Sequence, residues 1–75
     1  MDESALRERI TNSLLRKIEE ETYPSTTMLN RVETALKTPD DVGRYAEILL
    51  EKIDSARYPS TDMLSRLDRL LARLA

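Results

Sequence analysis

His and Cys are both absent from this chain, so its ionisable side chains are fourteen carboxylates, twelve Lys or Arg and three tyrosines. That inventory excludes nucleophilic catalysis of the Ser-His or Cys-His kind and removes the usual ligands of a structural zinc. A single glycine excludes a phosphate-cradling glycine-rich loop. The densest acid cluster, Glu19-Glu20-Glu21, occupies successive positions at a helix end. Successive helical residues point about 100° apart, so these carboxylates diverge rather than converge on a metal or a substrate. They read as a solvated surface, or as a contact for a basic partner. No enzymatic activity, cofactor or metal is expected.

Two other groups could carry recognition. Tyr23 and Tyr58 each precede a proline, in Tyr23-Pro24-Ser25 and Tyr58-Pro59-Ser60. The structural reading is that each ring covers the open end of its hairpin while Ser25 and Ser60 cap the next helix. Arg57, Arg66, Arg69 and Arg73 could form a basic strip near the C-terminus. Asp62 and Asp68 lie among them, however, and the formal net charge is −2, whereas a nucleic-acid reader needs a positive field. A small nucleic-acid-associated regulator is the alternative reading of the chain, not the leading one.

What must position these residues is a repeat. Displacing the chain by 35 residues lays Leu14-Leu15-Arg16-Lys17-Ile18 on Leu49-Leu50-Glu51-Lys52-Ile53, and Tyr23-Pro24-Ser25-Thr26 on Tyr58-Pro59-Ser60-Thr61. Met28-Leu29, Arg31 and Leu36 then meet Met63-Leu64, Arg66 and Leu71. The match is read as a tandem duplication. Tetratricopeptide and pentatricopeptide repeats have nearly this period, but this chain has no Trp and its one Gly is unrepeated. Two units are also fewer than a solenoid normally requires.

Each unit reads as helix, tight turn, helix. Pro24 and Pro59 disfavour helical geometry at the preceding Tyr and end the long helices near Glu21 and Arg57. Thr38-Pro39-Asp40-Asp41 supplies a cap, a proline suited to the first helical position and two acids at the positive end of the helix dipole. Helices are therefore expected over about 3–21, 26–37, 39–57 and 61–74. The apolar stripes are Leu6, Ile10, Leu14 and Ile18 in the first and Met28, Leu29, Val32, Ala35 and Leu36 in the second. In the third they are Val42, Tyr45, Ala46, Leu49, Leu50, Ile53 and Ala56, and in the fourth Met63, Leu67, Leu70 and Leu74 with Leu64 and Leu71 beside them. Gly43 lies inside the third helix, where it costs roughly 1 kcal/mol against Ala unless close packing requires it.

The fold class expected is all-α: four antiparallel helices made by a duplicated hairpin of period 35, bundle-like or as two stacked hairpins. Residues 1–75 should form a single helical domain, with repeat units at about 3–37 and 38–75. Met1-Asp2-Glu3-Ser4 lacks the basic start and apolar run of a secretory signal, and no apolar run approaches the roughly 20 residues that cross a bilayer. A cytoplasmic protein without a membrane span is expected.

Departures from the repeat suggest where function lies. Ile48 stands against Ser13, Leu70 against Ala35 and Leu74 against Pro39, and Leu15 widens the apolar face of its helix. These four are either extra core for a small domain or a contact surface. The leading expectation is a non-enzymatic protein–protein interaction module, self-associating as a homodimer, with Leu15, Ile48, Leu70 and Leu74 at the interface.

Overall fold

A computed structural model describes residues 2–74. They form α1 (Glu3–Glu20), α2 (Thr26–Ala35), α3 (Pro39–Ser55) and α4 (Thr61–Leu74), with no strand among the described residues. The protein is all-α. Met1 and Ala75, the ends of the expected domain, lie outside the described residues. No described helix is long and apolar enough to cross a membrane.

Local chemistry sets the helix ends. Asp2, Ser25, Thr38 and Ser60 each accept from the backbone N–H three residues on, at Ala5 (2.7 Å), Met28 (3.1 Å), Asp41 (3.1 Å) and Met63 (3.3 Å). Each satisfies one of the donors that a helix start leaves unpaired. The prolines act as expected: α1 and α3 stop at Glu20 and Ser55, shortly before Tyr23-Pro24 and Tyr58-Pro59. α2 ends at Ala35, because Leu36 turns extended on the approach to Thr38-Pro39, whereas α4 meets no such block and runs to Leu74.

The chain divides into two compact units at Leu36/Lys37. In the first α1 contacts α2, and in the second α3 contacts α4. The connections, residues 21–25 and 56–60, are short enough to make each pair an antiparallel hairpin. In the first, the Thr11 hydroxyl donates to Arg7 O at 3.0 Å and also lies 3.4 Å from Ala35 O, tying mid-α1 to the end of α2.

The two hairpins do not bury equivalent positions. The turn residue Pro24 aside, the buried residues of the first are Thr11, Leu15, Ile18, Leu29, Val32 and Leu36; those of the second are Val42, Tyr45, Ile48, Leu49, Met63, Arg66 and Leu70. The sequence matches at a step of 35. Five of those six buried positions of the first match at 34, namely 11 to 45, 15 to 49, 29 to 63, 32 to 66 and 36 to 70, while Ile18 falls on half-buried Lys52. One residue is about 100° around a helix, so the enclosed face of the second hairpin is turned by that amount on both its helices.

Several stripe expectations are corrected by this rotation. Leu6 and Ile10 are exposed and Leu14 half-buried, while Leu15 and Thr11 lie inside. Leu50 is exposed and Ile48 enclosed. On α4 the buried line is Met63, Arg66 and Leu70, with Leu67 half-buried and Leu74 open. The physical reason is that each helix carries apolar residues over a wider arc than packing covers, so packing chooses one edge of the arc. Gly43 has no packing role, since nothing stands within 4 Å of where its Cβ would lie.

Candidate protein-interaction surface

Of the four expected interface leucines and isoleucines, Leu15, Ile48 and Leu70 are enclosed in the core. Of the two roles the sequence offered them, extra core or contact surface, this burial fits the first, because side chains packed inside have little surface to offer. Leu74 stays open. The face that is apolar and exposed consists instead of Leu50, Leu64 and Leu71 together with Leu74, Leu71 being 67% exposed.

Helix geometry places these residues together. Advancing one residue turns the side-chain direction by about 100°, and in antiparallel helices the two turns run in opposite senses from a common viewpoint. The residues following the buried positions, Leu50 after Leu49 on α3 and Leu64 and Leu71 after Met63 and Leu70 on α4, therefore swing to the same side of the hairpin. The outcome is one apolar surface two helices wide. Exposed Asp54 and Asp68 border it, at i+4 from Leu50 and Leu64, and exposed Glu47 sits one turn before Leu50.

The first hairpin has the converse. The residues preceding its buried positions are exposed Ile10 and half-buried Leu14 on α1, with half-buried Met28 and Ala35 on α2. By the same geometry they share the other side of that hairpin, continued by exposed Leu6. Its border is mixed in charge: Arg31, at i+3 from Met28, and Lys17, at i+3 from Leu14, are exposed, but Lys17 stands 4.0 Å from Glu20 and exposed Glu3, one turn before Leu6, is paired with Arg7.

The expected basic strip is divided. Arg57 is exposed and lies over the Tyr58 ring at 5.8 Å, within cation–π reach, and Arg69 and Arg73 are exposed on α4. Arg66 is only 2% exposed, and its Nε donates to Asp62 Oδ2 at 2.8 Å. A guanidinium committed in this way is not available to a phosphate.

Tyr23 and Tyr58 are 85% and 83% exposed, which overturns the expectation that the rings cover the hairpin ends. The backbone turns before each proline leave the rings in solvent, and Pro24, not its tyrosine, is the buried residue of the first turn. Glu19, Glu20 and Glu21 are all exposed at the end of α1, and the described residues contain no group of three or more carboxylates able to hold a metal.

Sequence reasoning missed Leu50, Leu64 and Leu71 as surface residues, since each falls inside the apolar arc of its helix. The signal available was the repeat's own surplus: α4 has six apolar positions among Met63, Leu64, Leu67, Leu70, Leu71 and Leu74, more than one helical neighbour encloses. Comparison of the chain with protein-family models, with curated proteins and with solved structures finds no match.

Proposed function

We propose that this protein is a non-enzymatic interaction module that recognises another protein through the leucine surface of its second hairpin. The observation carrying this reading is the open side formed by Leu50, Leu64, Leu71 and Leu74. Isolated exposed leucines are ordinary, but a contiguous group spanning two helices is the usual mark of a contact surface. The reading is also supported by the lack of His, Cys and glycine-rich loops, which leaves recognition as the better-equipped role.

The nucleic-acid reading has weaker support. Arg66 is enclosed and bonded to Asp62, the exposed Arg69 and Arg73 share α4 with Asp62 and Asp68, and the net charge is −2.

The test is affinity capture from the native host with the wild-type protein and with a Leu64→Glu/Leu71→Glu double variant. Both positions are exposed, so the variant is expected to keep its helical circular dichroism. Proteins held by the wild type, including further copies of this chain, should be lost with the variant. An identical set held by both would overturn the reading.

A further inference from the structure

We draw no further inference here: the strongest candidate, the open apolar side of the second hairpin formed by Leu50, Leu64, Leu71 and Leu74, carries none, because exposed Asp54 and Asp68 share its border with exposed Arg57 and nothing in the structure shows what covers it.

Discussion

The guanidinium of Arg66, almost fully enclosed on α4, is held by Asp62 one turn earlier, Nε to Oδ2 at 2.8 Å. At the matching place in the first hairpin Arg31 has Thr27 at i−4 in place of an acid, and Arg31 is exposed. The acid at position 62 and the burial of position 66 therefore occur together, as expected when an enclosed cation must keep a counter-charge. No buried side-chain N or O among the described residues lacks a partner.

Removing the acid should consequently be felt in one hairpin alone. Asp62→Ala is expected to destabilise the protein by about 1–2 kcal/mol, less than for a fully buried pair because Asp62 is half exposed. Arg66→Met should be close to neutral, since it removes charge and burial cost together, and Arg31→Met should stay within about 0.5 kcal/mol. Urea denaturation of the three variants checks this; a large loss in Arg66→Met with none in Asp62→Ala would contradict the account.

Adjacent leucines should differ sharply. Leu49 is 0% exposed and Leu50 46%, so Leu49→Ala is expected to cost about 2–5 kcal/mol and Leu50→Ala under about 1 kcal/mol. At the repeat-equivalent pair the order reverses, with enclosed Leu15 more costly to truncate than half-buried Leu14. Thermal denaturation of the four alanine variants measures both orders, and the same order in both hairpins would refute the one-residue offset.

Gly43→Ala should stabilise. Its Cβ meets nothing within 4 Å, its backbone is helical, and Ala is favoured over Gly inside a helix by about 0.8–1 kcal/mol. For a domain of this size that corresponds to a rise of about 4–8 °C per kcal/mol in Tm, readable by circular dichroism.

Tyr23→Ala and Tyr58→Ala should leave stability within about 0.5 kcal/mol, because both rings stand in solvent. Tyr45, enclosed on α3, should be shielded from tetranitromethane while the other two are nitrated, which mass spectrometry of the native protein resolves. Early nitration of Tyr45 would show that the second hairpin opens.

The chain's own pattern was enough for the four helices and three of their caps, though not for the Asp2 cap, and it carried the second and third helices two residues too far, to 37 and 57 in place of Ala35 and Ser55. Those features depend on neighbours within a turn: Ser25, Thr38 and Ser60 cap because their oxygens reach the N–H three residues on, and prolines restrict only the residues beside them. The absence of His and Cys was equally plain.

Which edge of each apolar arc goes inside was not legible in any one helix. Leu14 and Leu15, or Leu49 and Leu50, are identical residues in matched surroundings, yet the first hairpin encloses the second leucine of its pair and the second hairpin encloses the first. Helical periodicity fixes only that an oily stripe exists; the rotation of that stripe is decided by simultaneous packing of residues far apart in the chain. A shift of one residue costs no backbone hydrogen bond and turns the helix by about 100°. Tertiary packing therefore made Leu15, Ile48 and Leu70 interior and left Leu50, Leu64 and Leu71 as surface.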